Sequence, residues 1–209
     1  MRLIRNRQKG DTIIEVLFAV TVFAMVAVGS LSIMNQGTGA AQRALEITLV
    51  RAQIDAQAEA IRYIHQAYVT AFEKGNIPAP GTGTAGEWTK IKQQYSGGDP
   101  SGFGVVNGKC PTAPTGQKPF VLNARKAVVS NKSILMTAPE GKSLPPFSQV
   151  AYNDDSSIDE TYGMWVEAIP STNTDGPGFV DFHIRACWDS PGSSVPVTLG
   201  TIVRLYEPR

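Results

Sequence analysis

The sequence predicts an α+β chain: a long amino-terminal helix, apolar in its first half and amphipathic in its second, packed on an antiparallel β-sheet head. Three observations carry this. An apolar run of helix length occupies residues 12–34, broken only by Glu15 among charged residues. Apolar residues at helical spacing then continue from Ile47 to Tyr68. Short β-branched and aromatic runs, bounded by turn residues, crowd the stretch 127–206, the order expected of a helix followed by a sheet.

The chain opens with Arg2, Arg5, Arg7 and Lys9, then Gly10 and Asp11. The apolar run that follows is softened only by Thr21, Gly29, Ser30 and Ser32. Roughly twenty such residues cross a bilayer as a helix. Basic residues before the run, and no charge between Glu15 and Arg43, place the amino end inside and the remainder outside. A carboxylate at mid-membrane costs roughly 2.5–3.5 kcal/mol, less near the interface, so Glu15 requires a partner or a purpose. A secretory signal peptide has a shorter apolar core of about 7–15 residues, although Ala27-Val28-Gly29 reads as a weak cleavage site. A plain membrane anchor leaves Glu15 unexplained.

The segment Lys9-Gly10-Asp11-Thr12-Ile13-Ile14-Glu15-Val16-Leu17-Phe18-Ala19, behind its basic leader, resembles the amino terminus of type IV pilins and of type II secretion pseudopilins. The resemblance is specific over about residues 5–35. It implies cleavage by a prepilin peptidase after Gly10, N-methylation of the new terminal residue Asp11, and a glutamate at the fifth mature position, Glu15, that contacts the amino terminus of a neighbouring subunit. It also implies other pilin subunits and an assembly platform as partners, with the membrane holding the precursor. The mature chain would begin with aspartate where the family usually has phenylalanine, and the outer half of the membrane segment lacks the helix-bending proline common in the family. The implied division is a leader over 1–10, a helix over 11–74 with its membrane segment at about 12–34, and an extracytoplasmic head over 75–209. Physically, a buried carboxylate is tolerable beside an ammonium group, and removing either partner of such a pair costs roughly 3–5 kcal/mol. Only a chain cleaved at Gly10 supplies that α-amine at the right place.

Past the membrane segment, Ile47, Val50, Ile54, Ile61, Ile64 and Tyr68 recur at spacings of three, four and seven, with Gln57 in the one missing place. That stripe predicts a continuing amphipathic helix; a coiled-coil dimer is the alternative, opposed by the polar gap. Gly29-Ser30 and Gly37-Thr38-Gly39 are expected to loosen the helix in the outer half of the membrane segment, because glycine costs about 1 kcal/mol against alanine. Gly75 and Pro78 predict its end.

Residues 75–120 are rich in glycine, proline, threonine and serine and predict loops, with one short helix at Glu87–Tyr95. Gly81-Thr82-Gly83-Thr84-Ala85-Gly86 spells a dinucleotide-binding pattern, but it follows a proline-rich turn instead of a strand and is expected to open no helix. Strands are predicted at 127–130, 133–137, 149–152, 162–169, 179–188 and 197–206. In the last two, Val180, Phe182, Ile184, Ala186 and Trp188 share one face, as do Val197, Leu199, Thr201, Val203 and Leu205.

The head carries little that reads as catalysis. No nucleophile elbow, zinc-binding His pair or phosphate loop is present in the sequence, and His65 and His183 read as structural; the chain is expected not to be an enzyme. Cys110 and Cys187, placed outside the cytosol, are expected to form a disulfide, closing a loop of about 77 residues worth roughly 4.5 kcal/mol on the chain-entropy model; two free buried thiols are the alternative. The run Asn153–Glu160 offers Asp154, Asp155, Asp159 and Glu160 as hard oxygen ligands for calcium, although its spacing departs from the calcium-loop pattern. Lys90, Lys92, Arg125, Lys126 and Lys132 lie near aromatics and raise nucleic acid as a partner. The whole chain is only +1, and without the leader 15 basic face 18 acidic side chains, a net −3, which opposes that partner.

Three function classes follow. The first is a structural subunit, of the minor kind, in a pilus-like filament. The second is a pseudopilin of a secretion or DNA-uptake machine, and the third a membrane-anchored binding protein that never assembles.

Overall fold

The structure, a computed structural model, describes residues 12–97, 108–111, 118–136, 143, 145–171 and 178–209. The chain divides into two compact units, Met1–Gln42 and Arg43–Arg209. Helix α1 spans Thr12–Glu73 and contributes to both, so the second half of the helix belongs to the head unit. α1 runs through Gly29, Gly37 and Gly39 without interruption. Local hydrogen bonding to the preceding turn, from Thr21, Ser30 and Thr38 to carbonyls three or four residues back, satisfies the hydroxyls within the helix.

The predicted stop is observed. Gly75 takes φ +69°, Asn76 N–H donates to Ala71 O, and Gly75 N–H donates to Phe72 O. These two bonds close the last carbonyls of α1 in a Schellman turn, which needs the left-handed residue that glycine provides.

In the head unit, α1 buries the anticipated stripe: Val50, Ile54, Ile61 and Ile64 are almost wholly excluded from solvent, with Tyr68 close behind. They join Trp88, Val166, Phe182 and Ile184 in one core. Trp88 sits at its centre, with ring contacts to His65, Tyr68 and Phe182.

After α1 come α2 (Gly83–Lys90), which runs directly into a single π-helical turn, Ile91–Tyr95, and, among the described residues, eight strands: β1 Val121–Asn123, β2 Val128–Ser130, β3 Ile134–Leu135, β4 Gln149–Tyr152, β5 Ile158–Tyr162, β6 Met164–Pro170, β7 Phe179–Trp188 and β8 Val197–Tyr206. The expectation of one antiparallel sheet is corrected to three small ones. β1 and β2 form an antiparallel pair, β6-β7-β8 an antiparallel meander, and β3-β5-β4 a mixed sheet in which β3 runs parallel to β5. The α+β class stands.

The predicted strand 162–169 is in fact two strands of different sheets, β5 and β6, separated by Gly163. There φ is +60°, and any Cβ would collide with the carbonyl oxygen of Cys187. Gly163 N–H donates to Leu135 O and its carbonyl accepts from Cys187 N–H, so this one residue ties two sheets together. Without a side chain, the backbone can approach that closely and change direction.

Strand β1 depends on α1 for its placement. The buried Gln57 amide donates through Nε2 to Leu122 O at 2.7 Å and accepts through Oε1 from Leu122 N–H at 2.9 Å. A side-chain amide thereby replaces a neighbouring strand, which explains the polar residue in the apolar stripe. Exchanging Gln57→Leu would leave a buried N–H and C=O unpaired, at about 1–3 kcal/mol each. The expected loss is about 2–4 kcal/mol, read as a lower urea midpoint with unchanged slope.

Candidate functional site

In the unit Met1–Gln42 the candidate site is the apolar face of α1 itself. From Ile13 onward the side chains are exposed on every side: Ile13, Ile14, Leu17, Phe18, Phe23 and Met25 each expose more than half their surface. A water-soluble head helix would bury one stripe; this stretch buries essentially none, and its mean hydropathy reaches 2.4 over an 18-residue window. By length and composition the helix is long and apolar enough to cross a membrane. Glu15 lies in its first turn, exposed like its apolar neighbours. Gly10 and Asp11, the residues of the implied cleavage, lie outside the described residues.

The head holds the expected disulfide between Cys110 and Cys187, with Cα atoms 5.7 Å apart. Cys187 belongs to the central strand β7, beside Gly163, so the bridge fastens residue 110 to the interior of the meander. The next residue, Trp188, donates its indole N–H to the buried Glu46 carboxylate at 3.1 Å, and Ser190 donates to the same oxygen at 2.6 Å. Glu46 was not distinguishable in the sequence from other polar residues of α1. A cavity of about 40 Å³ beside the disulfide, bordered by Phe147, Tyr162 and Trp188, has room for water but not for a cofactor.

The acidic run does not assemble a cation cage. Asp155 accepts from Ser157 N–H at 2.9 Å and Ser157 Oγ at 2.6 Å, closing a turn in which Ser156 has φ +61°. These bonds from Ser157, the hydroxyl above all, hold the Asp155 carboxyl below its ordinary range. Asp154 is exposed in the turn. Asp159 and Glu160, expected in a loop, lie instead on β5, where neighbouring residues point to opposite faces, and Glu160 accepts from the Tyr162 hydroxyl. Among the described residues no group of three or more metal-ligating side chains converges.

The remaining candidates have structural partners. His65 Nε2 lies 2.8 Å from the carbonyl oxygen of Tyr206, and its ring packs on Trp88. His183 is held below its usual range by burial and by the neighbouring Arg185 charge, against the pull of Asp181. The glycine-rich run does open a helix, contrary to expectation, since α2 begins at Gly83. It is a turn-to-helix junction all the same: Gly81 N–H donates to Gly86 O, and a Cβ on Gly86 would strike the Ala79 carbonyl. Of the basic residues, Lys90 lies 4.0 Å from the Glu87 carboxylate, Lys92 pairs with Glu207, and Arg125 lies over the Tyr152 ring.

One ion pair makes a pH prediction. Arg204 donates to both carboxylate oxygens of Asp181, at 2.8 and 2.7 Å. That bidentate bond, together with its charge, holds the Asp181 carboxyl below its ordinary value. A lowered folded-state pKa stabilises above the unfolded value of about 3.9 and is lost as pH falls through the folded one. The wild type is therefore expected to exceed Asp181→Asn modestly in urea midpoint at pH 5–7. The difference should close as pH falls below the ordinary carboxylate range, through the lowered folded-state pKa.

Comparison with protein-family models, curated proteins and solved structures yields no match.

Proposed function

We propose that this chain is a structural subunit, of the minor kind, in a type IV pilus-like filament, cleaved after Gly10 and assembled through the first half of α1. The observation that carries the reading is Glu15: a single carboxylate in an otherwise apolar membrane-length helix, five positions after the glycine of a basic leader. In lipid such a group is unfavourable; among packed helices it is matched by the α-amine of a cleaved neighbour, and the filament becomes the state in which both charges are paired. The disulfide of the head unit supports an extracytoplasmic location, where oxidised cysteines persist. The precursor would sit in the cytoplasmic membrane with its head outside, and the assembled subunit at the cell surface. Its role would be structural, with no reaction to catalyse.

Processing is tested by intact-mass analysis of the protein from cells with and without a prepilin peptidase. The reading expects a chain beginning at Asp11, carrying one added methyl group, only where the peptidase is present. A chain still beginning at Met1 in peptidase-positive cells would refute it.

A further inference from the structure

The β6-β7-β8 meander has two edges, and they are treated differently. The outer edge of β6 is occupied: Phe120 exchanges backbone hydrogen bonds with Val166, and Gly97 N–H donates to Ala168 O. The outer edge of β8 is open along Thr198–Arg204 among the described residues. The bond from Glu207 N–H to Gly178 O sets the phase of the β7–β8 ladder. Pairs then alternate, so Thr198, Gly200, Ile202, Arg204 and Tyr206 turn their N–H and C=O groups away from β7. The phase is corroborated at one end, where the outward carbonyl of Tyr206 is met by His65.

Natural sheets blunt such edges with proline, lysine, bulges or inward charges. β8 carries no proline, lysine or bulge, its ten pairs with β7 are in continuous register, and its one charged side chain, Arg204, is engaged by Asp181. Ile202 stands 60 % exposed in the middle of the outer row, and the inner-face residues Val197, Leu199 and Leu205 are only partly covered.

We propose that this edge pairs with the same edge of a second copy, antiparallel about a two-fold axis at Thr201. The sequence of β8 is complementary to itself in that register. On the inner face Val197 meets Leu205 of the other copy and Leu199 meets Val203, apolar against apolar, while Thr201 meets Thr201, a favourable cross-strand pair. On the outer face the bulky Ile202 meets Gly200, which leaves it space, and Arg204 meets the neutral Thr198, so no like charges oppose. The outward groups of Thr198, Gly200, Ile202 and Arg204 all find partners, and two three-stranded sheets become one of six. The contact is isologous, unlike the head-to-tail contacts of a filament; it is independent of the α1 packing proposed above and is tested separately.

The test uses the full-length chain in detergent micelles, with mass measured by sedimentation. Thr201→Cys should give a covalent dimer on mild oxidation, since residues at the axis have Cα atoms about 4.5 Å apart. Thr198→Cys should not, because the two copies of that residue are separated by about 20 Å along the strands at 3.3 Å per residue. Ile202→Lys and Ile202→Pro, which alter the outer edge without removing a bond to β7, should each weaken self-association by about tenfold or more. The proposal is overturned by a wild-type chain that stays monomeric at all concentrations, or by equal cross-linking of the two cysteine variants. It is equally overturned by a dimer that both Ile202 substitutions leave intact, which would place the contact on α1, or by an edge that binds an extended peptide of another protein and never its own copy.

Discussion

Exchanging both cysteines of the bridge, Cys110→Ser with Cys187→Ser, is expected to lower the unfolding free energy of the head by about 4 kcal/mol. The two positions are 77 apart in sequence, and cross-linking a loop of that length removes roughly 4.5 kcal/mol of chain entropy from the unfolded state. Cys187 is nearly buried in the central strand of the meander, next to the Gly163 junction and to Trp188, which holds Glu46 of α1. Losing the bridge therefore frees residue 110 from the place where three elements are tied together. For a unit of this size the melting temperature should fall by about 8–16 °C. Reduction of the wild type should reproduce the drop, and the double variant should be insensitive to reductant. A fall below about 1 kcal/mol would mean that the hydrogen bonds around Gly163 and Glu46 suffice alone.

The second large effect concerns assembly. Glu15→Leu removes the only acidic side chain in the membrane-length stretch, which should favour residence in the bilayer by about 2.5–3.5 kcal/mol at most. In the proposed filament it would leave the neighbour's α-amine without a counter-charge, at about 3–5 kcal/mol. The two changes act in the same direction, against leaving the membrane. Incorporation of Glu15→Leu into sheared filaments, measured beside wild-type subunits at equal expression, is expected to fall by more than about a hundredfold. Glu15→Asp, which retains the charge on a shorter arm, should lose less. Equal recovery of Glu15→Leu and wild type would remove the assembly role from this residue.

Periodicity made much of the fold legible. The stripe from Val50 to Tyr68 and the alternation of β7 repeat over enough residues to average out local exceptions, and both bury the faces they indicate. The Gly75 stop was readable because a left-handed cap admits few residues. What failed depended on long-range contacts. β1 is three residues long and is positioned by the Gln57 amide 65 positions away, which no local window detects. β5 reads as an acidic loop, yet between β3 and β4 its backbone is paired on both sides and its side-chain preferences are overridden. Gly163 sits in a continuous β-branched and aromatic run, and only the approach of Cys187 makes it a junction. At the candidate sites, Glu15 and the cysteine pair stood out because each is chemically out of place in its surroundings. Glu46 did not, since a glutamate on an exposed-looking helix reveals nothing until Trp188 folds over it.

The central claim is that the Glu15 carboxylate meets the α-amine of a neighbouring cleaved subunit. Filaments containing this chain, resolved at side-chain detail, test it most directly. The account predicts a carboxylate oxygen within about 3 Å of the amino-terminal nitrogen of an adjacent Asp11. A Glu15 side chain surrounded only by hydrocarbon or water in the assembled filament would contradict it.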